Sequence, residues 1–157
     1  MSIDIKDIKT LREATGAGII DCRTALEESD GDMDKAKEYL RKKGLQKADK
    51  KADRATDAGL VYAYIHNGGQ VGAMVEIACE TDFVARTDDF GHLCKEVAMQ
   101  VASMDPENVD ALLKMPYIRD SKQTIQDLVK STIGKLGENI QVVRFSRFAL
   151  GQNLDEE

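Results

Sequence analysis

The apolar pattern of this chain changes period near residue 58, and that change restricts the fold more than any other feature. From Leu60 to Ile65 the side chains alternate, with Val61, Ala63 and Ile65 on one face and Leu60, Tyr62 and Tyr64 on the other. After Asn67-Gly68-Gly69 the same period resumes through Val71, Ala73, Val75 and Ile77. Alternation is a strand pattern, and Asn-Gly-Gly between two such runs signals a hairpin. Both faces of the first run are apolar. One can cover helices; the other suits a second sheet, such as that of another copy of the chain. Gly72 leaves a bare spot in the second run where another backbone could approach.

Downstream the period becomes helical. Phe90, Leu93, Cys94, Val97, Ala98, Val101 and Ala102 follow the i, i+3, i+4, i+7 rule, and Asp105-Pro106 ends that helix. A weaker helical stretch, 109–114, leads to Met115-Pro116. Asp120 with Gln123 resembles a capping box for another helix, striped by Ile125, Leu128, Val129, Thr132, Ile133 and Leu136 and closed by Gly134 and Gly137. Residues 140–150 alternate as a last strand, and the tail 151–157 is expected to fray. Residues 58–157 therefore read as ββααβ.

Ahead of the hairpin the chain reads as three short helices. Ile5, Ile8 and Leu11 stripe the first, with Ser2 as N-cap. Cys22, Ala25 and Leu26 stripe the second. Met33, Ala36, Tyr39 and Leu40 stripe the third, which Arg41-Lys42-Lys43 and Gly44 should terminate. So short a bundle buries little surface and suits recognition better than a catalytic cleft. Residues 45–57 are almost wholly polar, a solvated linker or an exposed helical extension. The expected fold is α+β: a three-helix domain over 1–44, a charged linker over 45–57, and a core over 58–157 with a small antiparallel three-stranded sheet packed with helices.

Charge narrows the function. Residues 1–57 carry 13 Lys and Arg against 13 Asp and Glu; residues 58–157 carry 9 against 15, for a net −6. No basic stripe is present, so direct nucleic-acid binding is not expected, and a protein partner is. No apolar run approaches a membrane span, and the N-terminus, charged from Asp4, has no apolar leader. Three widely spaced cysteines, Cys22, Cys79 and Cys94, fit neither a disulfide framework nor zinc, and place the chain in a reducing, cytoplasmic compartment. His66 beside a turn and His92 on a polar helix face offer no nucleophile-base arrangement. Asp88-Asp89 complement a helix dipole. Glu80, Asp82, Asp88 and Asp89 lack calcium-loop spacing, and no nucleotide-binding glycine motif occurs. No catalytic residue, metal or cofactor is expected.

Two segments stand out. Residues 79–86, CETDFVAR, join the second strand to the long helix. They are either a capped turn with Thr81 or Asp82 as N-cap and Phe83 plugging the core, or a loop that offers an acid and an aromatic ring to a partner. In the run from Gly16 to Asp21, Ile19 and Ile20 stand 100° apart on a helix, so both cannot face so small a core. They form either a wide stripe or an apolar contact patch rimmed by Arg23.

Three blocks carry a family resemblance: residues 11–44, LREATGAGIIDCRTALEESDGDMDKAKEYLRKKG; residues 79–90, CETDFVARTDDF; and residues 134–145, GKLGENIQVVRF. In this order they resemble the elongation factor Ts family, in its short, single-core form. The resemblance implies a UBA-like N-terminal bundle and a guanine nucleotide exchange factor for the GTPase elongation factor Tu, which makes and breaks no covalent bond. Asp82 and Phe83, within Thr81 to Val84, match the pair that inserts near the GTPase's magnesium and phosphate site. Ile19, Ile20 and Arg23 match the N-terminal contact, and Val71 and Gly72 a strand-start contact. Gln100 stands where the family has a contact His. Longer members carry a second core repeat and a helical hairpin, for which the stretch between Asp105 and Met115 leaves no room. A homodimer joined sheet to sheet is implied. The alternative is an adaptor binding a protein through the three-helix domain alone.

Overall fold

The computed structural model describes residues 3–152. Helices α1 (Ile5–Thr15), α2 (Ile19–Glu28) and α3 (Met33–Asp49) come first. The hairpin β1 (Ala58–His66) and β2 (Val71–Cys79) follows, then a single turn α4 (Asp82–Ala85) and the long α5 (Asp88–Met104). The chain continues through α6 (Val109–Lys114), β3 (Pro116–Tyr117), β4 (Asp120–Thr124), α7 (Ile125–Leu136) and β5 (Ile140–Ala149). The main sheet is antiparallel and three-stranded, as expected, and its strand order is β1-β2-β5. The tail from residue 153 lies outside the described residues, as does Ser2. Among the described residues no helix is long and apolar enough to cross a membrane.

The described residues form two hydrophobic cores. The N-terminal one is Leu11, Cys22, Ala25, Leu26, Ala36 and Leu40, edged by Ile8, Met33 and Tyr39. Asp4 caps α1 in place of Ser2, its carboxylate accepting from the Lys6 N–H at 2.9 Å. Ile5 does not join the stripe and is exposed. Six residues turn a helix 600°, so Ile5 points 120° away from Leu11. The second core lies between the sheet and α5 and α7. All seven expected residues of α5, from Phe90 to Ala102, are buried there against Val75 and Ile77, with Tyr62 and Tyr64 packed alongside. Truncating Phe90 to Ala would cost about 3–5 kcal/mol from lost transfer energy plus a cavity.

Two of the three glycines read as helix stops, Gly44 and Gly134, do something else. α3 runs through Gly44 to Asp49, and Ala48 is buried in the second core, so residues 45–49 are a helical extension. Gly134 lies inside α7. A Cβ on Gly134 would sit 3.0 Å from Gly44 Cα and 3.2 Å from its carbonyl oxygen. The missing side chain lets α7 touch the backbone of α3. Lys130 then pairs with Asp49 across the same crossing at 2.8 Å. Gly137, at φ 79°, is the left-handed cap that ends α7.

The small sheet β3-β4 was not expected. Asp120 sits in it, accepting from the Lys122 N–H and the Gln123 side chain, and the capping box is Thr124 with Asp127. Buried polar side chains of α5 hold this hairpin. The Gln100 amide donates to the Pro116 carbonyl and accepts from the Ile118 N–H, both at 3.0 Å. Glu96 accepts from the Tyr117 hydroxyl and from Arg119.

Candidate partner-binding site

The turn between β2 and α5 is the most exposed apolar point of the second core. Thr81 is its N-cap, with its hydroxyl accepting from the Val84 N–H at 3.4 Å. Burying Ala85 fixes the rotation of this single turn. Phe83, two residues earlier, is then 200° away and points outward. It is 82% exposed, so it does not plug the core. A phenylalanine left in water forgoes about 1.5–3 kcal/mol of burial, which a partner's surface could recover.

Asp82 shares the tip. Its carboxylate pairs with Arg86 at 2.9 Å, with both side chains mostly exposed. Such a pair contributes about 0–1 kcal/mol, so exchanging Arg86 for a partner's donors costs little. The i, i+4 spacing was a signal for this pair that the sequence reading did not use. Val84 is half-buried against the core.

The turn is braced from behind by groups the sequence reading passed over. Glu138 accepts from the Thr81 N–H at 3.0 Å and from its hydroxyl at 2.8 Å. Glu80 accepts from the Asn139 N–H at 2.8 Å. The buried Asn139 side chain donates to the carbonyls of Arg54 and Ala52. Burial pushes the Cys79 thiol up, so it stays protonated and donates to the Thr81 carbonyl at 3.1 Å. Their distance in sequence hid them: residues 52–54, 80–81 and 138–139 meet only after folding.

Ile19 and Ile20 form a second exposed apolar patch, at the start of α2, where they are 58% and 81% exposed. Arg23 stands one turn on, paired with Glu27 at 2.8 Å. Beneath them Asp21 bonds Lys43 and Lys47 of α3 at 2.9 and 2.8 Å. The side-chain bonds to Lys47 and Lys43 hold its carboxyl below the usual range. The patch is tied toward the tip through α7. The left-handed Gly16 lies against Lys135, and a Cβ there would come 2.5 Å from Lys135 Cε. Lys135 also bonds Asp89 of α5 at 2.9 Å.

The remaining candidates lie elsewhere. Val71 and Gly72 begin β2, and at ~3.3 Å per residue they sit roughly 25 Å from the tip. The bare spot at Gly72 is filled from within, because Ile65 Cδ1 would be 2.7 Å from a Cβ there. Gln100 is fully buried with both amide atoms engaged, so as placed it offers nothing to a partner. The outer sheet face presents Val61, Ile65, Met74 and Phe148 to solvent. A cleft of about 550 Å³ between α3 and α7 is lined by paired charges and by no His or Cys. Among the described residues no cluster of His, Cys, Asp or Glu could hold a metal ion.

The family described as Elongation factor TS matches residues 80–155, which include the tip and its Glu138-Asn139 brace. Elongation factor Ts of Rippkaea orientalis is 41% identical over 201 residues, covering 99% of this chain and 81% of the relative. That of Petrotoga mobilis is 41% identical over 197 residues, covering 97% and 100%. That of Oleidesulfovibrio alaskensis is 44% identical over 189 residues, covering 92% and 96%. Each alignment is longer than the chain, so these relatives carry residues that it lacks. Identity at this level across nearly its whole length makes the chain a member of the elongation factor Ts family of translation elongation factors.

Proposed function

We propose that this protein is a guanine nucleotide exchange factor for elongation factor Tu, acting in the cytoplasm without a covalent step. The observation that carries the proposal is the exposure of Phe83, 82% accessible on a turn braced from behind. A guanine nucleotide site holds phosphate through backbone N–H groups and a magnesium clamp. Asp82 and Phe83, inserted near that clamp, would stabilise a nucleotide-free state and so weaken GDP. The coupling is reciprocal: GDP weakens the factor by the factor it is itself weakened. Ile19, Ile20 and Arg23 would supply a second contact that positions the tip. The apolar outer face, Val61, Ile65, Met74 and Phe148, would join two copies sheet to sheet, each copy binding one GTPase. Gly72, far from the tip, would lie at that shared face, and Val71, packed on the core side of the strand, at a separate contact; neither takes part in the wedge.

The test is release of fluorescent GDP from Tu. Phe83→Ala should slow it at least about tenfold at limiting factor, because tenfold needs only about 1.4 kcal/mol, within what one buried ring supplies. Wild-type exchange by Phe83→Ala would refute the wedge. Binding of Tu unchanged by loss of both Asp82 and Phe83 would instead favour an adaptor working through the three-helix domain.

A further inference from the structure

We infer that Glu138 is a positioning residue for the exchange tip, a claim that rests on the wedge reading above. A single turn of four residues cannot fix its own direction, because helix nucleation costs more than one turn returns. Thr81 caps it with a bond of 3.4 Å, which is long. The Asp82–Arg86 pair is solvated at the surface. The buried Ala85 sets the rotation of the turn, but neither the cap nor the surface pair holds its N-terminal end.

Glu138 supplies what is missing. Its two carboxylate oxygens take the N–H and the O–H of one residue, Thr81, at 3.0 and 2.8 Å. Two charge-assisted bonds to one residue fix orientation as well as distance. Glu138 is itself presented by fixed backbone. Gly137 ends α7 before it, and Asn139, 2% exposed, is bonded after it to Glu80 and to the carbonyls of Ala52 and Arg54. The carboxylate therefore reaches the tip from the end of α7, which Asn139 ties to the carbonyls of Ala52 and Arg54.

The position of the contact argues for a role beyond folding. Thr81 is exposed and Glu138 only half-buried, and both cores close without them. Removing the carboxylate leaves the cores and the buried Ala85 in place and loosens the N-terminal end of the turn. A loose tip must be ordered each time it enters a partner, and that cost falls on exchange rather than on stability.

The experiment compares Glu138→Ala and Glu138→Gln, each in the wild-type and Phe83→Ala backgrounds, by release of fluorescent GDP from Tu and by thermal melting. Glu138→Ala should slow release about tenfold at limiting factor, with a melting shift of no more than a few degrees. Glu138→Gln should recover most of the rate, since its amide oxygen can accept from the Thr81 N–H and its amide N–H can donate to the Thr81 hydroxyl oxygen. In the Phe83→Ala background, Glu138→Ala should add less than about twofold, because an unarmed tip has nothing left to aim. Wild-type exchange by Glu138→Ala overturns the inference, and so does an equal loss in both backgrounds. If Phe83→Ala itself exchanges normally, the wedge reading fails, and this inference fails with it. If only Glu138→Ala is silent, the wedge reading stands alone. Should Glu138→Ala not fold, Thr81→Ala removes one of the two bonds to Glu138 together with the long cap to the Val84 N–H and should lose roughly threefold; no loss there is equally fatal.

Discussion

The crossing of α3 and α7 makes two adjacent glycines respond in opposite ways to the same change. Gly44 and Gly134 touch, but their missing side chains point differently. A Cβ on Gly44 meets nothing within 4 Å. Gly44→Ala in the interior of α3 should therefore show the plain helix-propensity gain, about 0.8–1 kcal/mol. A Cβ on Gly134 meets Gly44 Cα at 3.0 Å and its oxygen at 3.2 Å. Ordinary carbon contacts are about 3.5–4.0 Å, and backbone cannot rotate aside, so the helices must part by roughly half an ångström. Overpacking of that kind costs typically about 1–3 kcal/mol. Set against the same propensity gain, Gly134→Ala should be neutral to destabilised by about 2 kcal/mol. The two variants should thus differ by at least about 1 kcal/mol, or roughly 2–4 °C in melting temperature for a chain of this size. Urea unfolding followed by circular dichroism measures it. If Gly134→Ala is stabilised as much as Gly44→Ala, the close crossing is wrong. The same crossing sets Ile19 and Ile20 relative to the tip, so Gly134→Ala should also exchange more slowly than Gly44→Ala.

Two further outcomes separate the remaining surfaces. Ile20→Asp should weaken capture of Tu by about tenfold while the protein still sediments as a dimer, whereas Met74→Arg on the outer sheet face should yield monomers that keep the tip; the reverse pattern in analytical ultracentrifugation and pull-down would refute both assignments. Lys47 and Lys43 depress the Asp21 carboxyl in the folded state, so its contribution is present above the unfolded value near pH 4 and is lost as pH falls through the lower folded value. Wild type should accordingly be more stable than Asp21→Asn at pH 7, with the gap closing as pH falls below the unfolded value in denaturant titrations; a gap independent of pH would show that the two lysines do not act through charge.

What could be read from the chain and what could not divide along physical lines. The stripe from Phe90 to Ala102 and the alternation of Val71 to Ile77 are local periods, and every residue of both reached the expected face or its margin. The cap at Thr81 is also local chemistry. The outward turn of Phe83 was left open, because it depends on which neighbour the core admits, and Ala85 took that place. Gly44 and Gly134 carried the signature of stops but serve a contact between segments 90 residues apart, which no local rule detects. The β3-β4 hairpin lacks a strand pattern because Gln100 and Glu96 hold its backbone and side chains from another helix. Gln100, offered as a partner contact by the family resemblance alone, is covered by that hairpin. Glu138 and Asn139 looked like an ordinary turn after a helix, and their partners became visible only in three dimensions.

α3 begins with Ala36 and Leu40 in one core and finishes with Ala48 in the other. At ~1.5 Å per residue, about 12 Å of unbroken shaft separates Leu40 from Ala48, leaving no swivel between the halves. The molecule is built like a calliper whose jaws are set at manufacture. A target that offers both landing spots at that gauge can be gripped twice for one loss of tumbling freedom. A target that spreads them must either strain itself or let go.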